Sequence, residues 1–238
     1  MKKYLFIICL FIFLVGFTAC DEASKYEIKN DVQIVDKINY NDLKELLTKL
    51  DINKENNVSM ELLMTQDSLE GVQKLNYTID YIKENGNINA IAKFNLKNYS
   101  YTKFIKDSVI YITHDQVKTP VKTNILSPNA FNFNSLCMSD KDYKIILDAT
   151  LDYIFPQSPN LSHGYDKDKN VIIDYKAKDI TFRFVFNDNK PIYLYVYSGN
   201  YGYEYKFSYD CNRIKKPSGF NADDYEKITW KEYVSLGY

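Results

Sequence analysis

Leucines at 43, 46, 47 and 50 fall at i, i+3, i+4 and i+7 in Asn41-Asp42-Leu43-Lys44-Glu45-Leu46-Leu47-Thr48-Lys49-Leu50. That spacing lines one side of a helix over 41–50, with an Asn or Asp at its start. From Val58 the period changes to two: Val58-Ser59-Met60-Glu61-Leu62 opens a strand, and Tyr77, Ile79 and Tyr81 alternate with Thr78 and Asp80. Asn85-Gly86 supplies the positive φ of a tight hairpin turn, and Ile88, Ala90, Ala92 and Phe94 return on one side. Short strands around Tyr99–Phe104 and Ser108–Thr113 complete an antiparallel meander, because the links are too short for crossover helices. Residues 115–137 read as a long connection with Pro120, Pro128 and apolar Phe131, Phe133 and Leu136. Covering the core is the plainer role for such a loop, and a lid or binding segment the other. A helix is expected over 139–155, capped by Ser139 and followed by Pro156. Strands return at Val171–Tyr175, Ile180–Phe186, Pro191–Tyr197 and Tyr201–Tyr209, and Asn221 could cap a terminal helix over 222–235. The expected class is α+β: one curved antiparallel β-sheet with helices packed on one side.

The start of the chain has a different pattern. Lys2 and Lys3 precede 17 uncharged residues, Tyr4 to Cys20, and Asp21 and Glu22 follow at once. A charged start, an apolar run and a small-residue exit make a secretory signal. The run is short of the roughly 20 apolar residues of a membrane span, and its exit flank is acidic. Phe17-Thr18-Ala19-Cys20 resembles the lipobox of bacterial lipoproteins, although Phe17 stands where Leu is usual. The resemblance implies cleavage before Cys20, lipid on its thiol, and a membrane-anchored protein of the bacterial cell envelope on the extracytoplasmic side. The domain plan is thus a signal peptide at 1–19, a lipidated polar tether at 20–38 and one domain at 39–238.

Composition narrows the function classes. Hydrophobic residues make up 45% of the 238 residues and aromatic ones 16%, which excludes a disordered chain. After residue 19, 28 basic residues face 31 acidic ones, a balance of −3. That excludes the basic excess of a nucleic-acid binder. Of four cysteines, Cys9 leaves with the signal and Cys20 takes lipid. Outside the cytoplasm Cys137 and Cys211 can form a disulfide; two buried free thiols are the alternative.

Aromatic rows are the strongest internal pattern. Tyr201, Tyr203, Tyr205, Phe207 and Tyr209 alternate with Gly202, Glu204, Lys206 and Ser208. Tyr193, Tyr195 and Tyr197 oppose Ile192, Leu194 and Val196, and Phe182, Phe184 and Phe186 form a third row. Either the rows pack as core, or Tyr193, Tyr195, Tyr197, Tyr203, Tyr205 and Phe207 line a cleft for an apolar or amphiphilic ligand. Catalytic chemistry has little to work with. His114 and His163 are the two imidazoles, both expected in surface loops, and no G-x-S-x-G, H-E-x-x-H or phosphate loop is present. Asp166-Lys167-Asp168-Lys169-Asn170 copies the start of a calcium loop but has Val171 where glycine is required and Ala177 at the position of the bidentate Glu; a solvated charge cluster explains it better. The reading is a monomeric, non-enzymatic protein with no metal, no cofactor and no nucleic acid, whose partners are a membrane through lipid at Cys20 and a lipid or similar ligand. The alternative is a structural or adhesive interaction module with a filled core.

Over 40–217 the layout resembles the LolA/LolB/LppX-like lipoproteins and lipid carriers. The helix before Val58, the first meander, the helix at Ser139–Phe155 and the closing strands carry the resemblance, with Phe207-Ser208-Tyr209 and Ile214-Lys215-Lys216-Pro217 similar to the final-strand close of that group. It implies a half-barrel closed by helices over an apolar cavity, and a lipid ligand. Phe220–Tyr238 and the wealth of tyrosine depart from it.

Overall fold

The computed structural model describes residues 33–48, 52–68, 71–97, 99–115, 119–136, 160–177, 180–188 and 190–235. The expected signal, Cys20 and the expected helix at 139–155 lie outside the described residues.

The described residues are mostly β. Thirteen strands run β1 (Asp36–Lys37), β2 (Asn57–Ser68), β3 (Gly71–Glu84), β4 (Asn87–Leu96), β5 (Tyr99–Lys106), β6 (Val109–His114), β7 (Val121–Asn124), β8 (Leu161–Tyr165), β9 (Val171–Lys176), β10 (Ile180–Asn187), β11 (Lys190–Ser198), β12 (Tyr201–Ser208) and β13 (Glu226–Lys227). Helix α1 spans Tyr40–Thr48 and α2 Trp230–Ser235, with single 3-10 turns at Ile52–Lys54, Phe133–Ser135 and Ala222–Asp224. Helices are a minor part of the described residues, and α1 and α2 alone do not make a helical layer; the longest expected helix, 139–155, lies outside them. Hydrogen bonding orders the strands β1-β8-β9-β10-β11 on one side of the chain's division and β3-β4-β5-β6-β7-β13 on the other. The chain divides into two compact units: Met1–Leu50, Leu63–Gln73 and Asp152–Tyr205 form the first, and Asp51–Leu62, Lys74–Leu151 and Lys206–Tyr238 the second.

In the second unit the Asn85-Gly86 turn is present, with φ of 50° and 79°, and β3 and β4 pair from Glu84↔Asn87 to Leu75↔Leu96. Tyr77, Ile79 and Tyr81 meet Phe94, Ala92 and Ala90 across that ladder, and all six are buried. The long connection supplies further core. Ile125, Phe131, Phe133 and Leu136 are buried, the Phe133 ring meets Tyr81 edge-on at 6.3 Å, and the Tyr77 hydroxyl donates to the Leu136 carbonyl. Lys83 Nζ donates to the carbonyls of Asn129 (3.0 Å) and Phe131 (2.9 Å), which fixes the loop's course. The connection is not wholly a loop. Val121–Asn124 forms β7 against β6, and β13 lies parallel to β7. The expected helix over 222–235 is confined to Trp230–Ser235: the Thr229 hydroxyl accepts from Glu232 N–H (3.2 Å), and the Glu232 carboxylate accepts from Thr229 N–H (2.7 Å), so the capping box sits at the start of α2.

Burial raises the Tyr81 phenol from about 10 to about 12. The folded group holds its proton more tightly than the unfolded one, so its contribution to stability is complete below pH 10 and lost as pH rises through 12. Urea midpoints should fall over that interval and fall less for Tyr81→Phe; identical pH profiles for the two proteins would exclude this residue as a cause.

In the first unit α1 begins at Tyr40, because Asn39 is the cap: its Oδ1 accepts from Asp42 N–H at 2.9 Å. Leu43 is fully buried. The ordered sheet starts inside the expected tether, with Val35 N–H donating to the Tyr165 carbonyl (2.8 Å) and Asp36 and Lys37 in register with Tyr165 and Gly164. His163, expected in a turn, is in β8 opposite Ile173.

Candidate functional site

The six candidate aromatic residues occupy two sides of their strands, and β-pleat explains why. Register pairs Arg183 with Tyr195, Val185 with Tyr193 and Thr181 with Tyr197, then Asp174 with Arg183 and Ile172 with Val185. Opposed residues share a side, so Tyr193, Tyr195 and Tyr197 lie with Ile172, Asp174, Arg183 and Val185. Tyr193 Oη donates to Glu204 Oε1 at 3.2 Å, and a side chain at Gly202 would come within 3.7 Å of the Tyr197 ring. Gly202 and Glu204 therefore belong to the same side, which sends Tyr203, Tyr205 and Phe207 to the other. Phe182, Phe184 and Phe186 stand on that opposite side, with successive ring centroids 4.9 and 6.2 Å apart.

Burial differs along each row. Tyr193, Tyr195 and Tyr205 are buried, as is Phe207 in the second unit, while Tyr197 and Tyr203 are half-buried. Ile172, Val185, Tyr193 and Tyr195 form one buried cluster, against which Ile34, Ile192 and Tyr197 pack. Ile192 was expected opposite Tyr193. A register shift between Val185 and Phe186 puts an extra residue into β11, and such a bulge re-aims the side chain beside it.

Polar groups are set among these rings. Arg183 clamps Asp174 through two parallel bonds, Nε to Oδ1 at 2.7 Å and Nη2 to Oδ2 at 2.6 Å, with both side chains largely buried. The fork-on-carboxylate geometry fixes both. Burial, with the Glu204 charge next to it, pushes the Tyr193 phenol well above its ordinary range, so at neutral pH it is a neutral donor to Glu204. The side chemically combines ring surface with an ion pair and a carboxylate.

The other sequence candidates have structural employment. Buried Asp166 accepts at 2.8 Å from Asp168 N–H, Asn170 N–H and Asn170 Nδ2. The calcium-like run is thus a hairpin turn organised around one buried carboxylate, with the charges of Lys167, Asp168 and Lys169 exposed as expected. His114 ends β6 and is buried, its ring edge-on to Tyr99 at 4.6 Å; it is not a surface loop residue. Cys211 is a buried free thiol, and its expected partner Cys137 lies outside the described residues. Among the described residues no helix is long and apolar enough to cross a membrane. Sequence reading missed Asp174, Arg183 and Glu204. The polar positions inside otherwise apolar alternation were the available signal.

No protein-family model matches this chain, and no curated protein does. Solved structures with loose similarity include the following three. LprF from Mycobacterium bovis has 11% identity and a TM-score of 0.34, over 76% of this chain and 98% of its own. A DUF1329 family protein from Desulfovibrio piger has 9% identity and a TM-score of 0.30, over 71% and 92%. A putative outer membrane lipoprotein-sorting protein domain from Vibrio parahaemolyticus has 7% identity and a TM-score of 0.25, over 76% and 93%. Likeness this loose assigns neither a family nor an activity to the chain.

Proposed function

We propose that this is a non-enzymatic lipoprotein of the bacterial cell envelope, held on the extracytoplasmic side through lipid on Cys20, whose sheet binds an amphiphilic ligand such as a lipid. The anchor rests on Lys2, Lys3, the uncharged run and Phe17-Thr18-Ala19-Cys20. The observation that carries the ligand is the tyrosine side of β9–β11. Ile172, Val185, Tyr193 and Tyr195 make an apolar cluster bordered by half-buried Tyr197, and the Arg183–Asp174 pair and Glu204 supply fixed polar groups beside it. Ligand sites combine mostly apolar walls with a few placed polar groups, and an amphiphile needs both. Burial of Tyr193, Tyr195 and Tyr205 favours the second reading, an interaction module whose aromatic rows are simply core.

Lipid extraction and mass spectrometry of the purified protein separate the two. The ligand reading expects a co-purifying amphiphile in near-stoichiometric amount, reduced in Tyr197→Ala. An empty extract, with no uptake of added fatty acid or phospholipid, leaves the packed module.

A further inference from the structure

Residues 34–37 border the tyrosine side along β8. Beyond the backbone pairing of Val35, Asp36 and Lys37 on β8, partly buried Ile34 packs on the cluster of Ile172, Val185, Tyr193 and Tyr195. One position makes this approach feasible. A Cβ at Gly164 would lie 2.1 Å from the Asp36 carbonyl oxygen and 2.5 Å from Ile34 Cγ2, so any other residue there pushes the segment away. Glycine inside a strand often marks such a close backbone approach. The hold is short, with two residues in register, and such edge elements open at low cost compared with core strands.

We propose that residues 34–37 form a lid whose Ile34 covers the edge of the tyrosine side nearest β8. Docked, Ile34 occupies surface that an aliphatic chain would take. Peeled from β8, the segment withdraws Ile34 from the cluster of Ile172, Val185, Tyr193 and Tyr195, with the Arg183–Asp174 pair and Glu204 at hand for a polar head. The ligand class is accordingly an amphiphile with an aliphatic tail, for which Ile34 is the resident stand-in. The inference rests on the ligand-binding reading above, and it ties ligand entry to the same stretch of chain that continues to the lipid anchor.

Gly164→Ala and Ile34→Ser test it in the full-length protein held in phosphatidylcholine vesicles. Gly164→Ala displaces the segment, and Ile34→Ser weakens only its contact with the cluster, so a folding defect in the first does not end the test. Trypsin cleavage after Lys37 reports lid opening, and a stearic acid bearing a diazirine, photolysed and mapped by peptide mass spectrometry, reports occupancy of Tyr193–Tyr197. Cleavage should be faster in both variants than in the wild type. Where the lid is open in about a tenth of molecules, removing it raises adduct yield up to about tenfold. Wild-type cleavage after Lys37 as fast as in the variants overturns the lid. Faster cleavage with unchanged adducts at Tyr193–Tyr197 also overturns it, while leaving ligand binding standing. No adduct in any of the three proteins removes the ligand-binding reading and the lid with it, and protection of Lys37 then marks β1 as a structural edge strand alone.

Discussion

Tyr205→Ala should lower stability by about 3–5 kcal/mol in urea melts, the range for truncating a large buried aromatic. Tyr203→Ala, two residues earlier on the same side of β12, should cost less than half of that. The difference follows from exposure: Tyr205 is 4% exposed, whereas Tyr203 is half-buried. Removing a buried ring loses its transfer free energy and leaves a cavity, whereas a half-buried ring has less apolar surface to lose and water fills the vacancy. Equal, small losses in both would mean that the Tyr205 ring is solvated, and would return this side of β12 to the list of ligand surfaces. Equal, large losses would mean that Tyr203 is as much core as Tyr205.

Cys20→Ala should move the protein from the detergent phase to the aqueous phase in a detergent-partition experiment, with acylation abolished. Each buried acyl CH₂ contributes about 0.8 kcal/mol, so two or more chains anchor durably where one holds marginally. Without the thiol no thioether-linked lipid forms. The 17 uncharged residues from Tyr4 to Cys20 are fewer than the roughly 20 that span the hydrocarbon layer. A Cys20→Ala protein that remained wholly in membranes through an uncleaved N-terminus would overturn the lipoprotein reading. That result would leave the architecture of both units as it is.

Most of the sheet was legible, for definite reasons. β9 to β12 were expected within a residue or two of where they lie, because each alternates strongly enough to survive as a pattern and is bounded by turn residues such as Gly199-Asn200. The Asn85-Gly86 turn was legible because few dipeptides take two positive φ values in succession. The misses are short or weakly patterned. Val121–Asn124 has one aliphatic residue in four, Leu161–Tyr165 is interrupted by Gly164, and β1 and β13 are two residues each. Such strands exist because a neighbour offers unpaired backbone groups, and no period of their own announces them. The terminal segment misled in the other direction. Asn221 does cap, accepting from Asp223 N–H, but it caps a single 3-10 turn, after which Glu226 N–H bonds to the Pro120 carbonyl and the chain continues as strand.

By itself the sequence determined the lipobox-like pattern before Asp21, the tyrosine alternation and the hairpin order, since each depends on residues adjacent or a fixed few positions apart. Tertiary structure decided which side of which strand each ring occupies. Tyr193 and Tyr203 read alike in the sequence, yet the cross-strand register and the Tyr193–Glu204 bond place them on opposite sides. It also decided that Asp174 and Arg183, nine residues apart, form a bidentate pair, and that Ile34 reaches a cluster built from β9, β10 and β11. Register is set by backbone pairing between distant segments, and a shift of one residue reverses every side chain; nothing local to either strand records it.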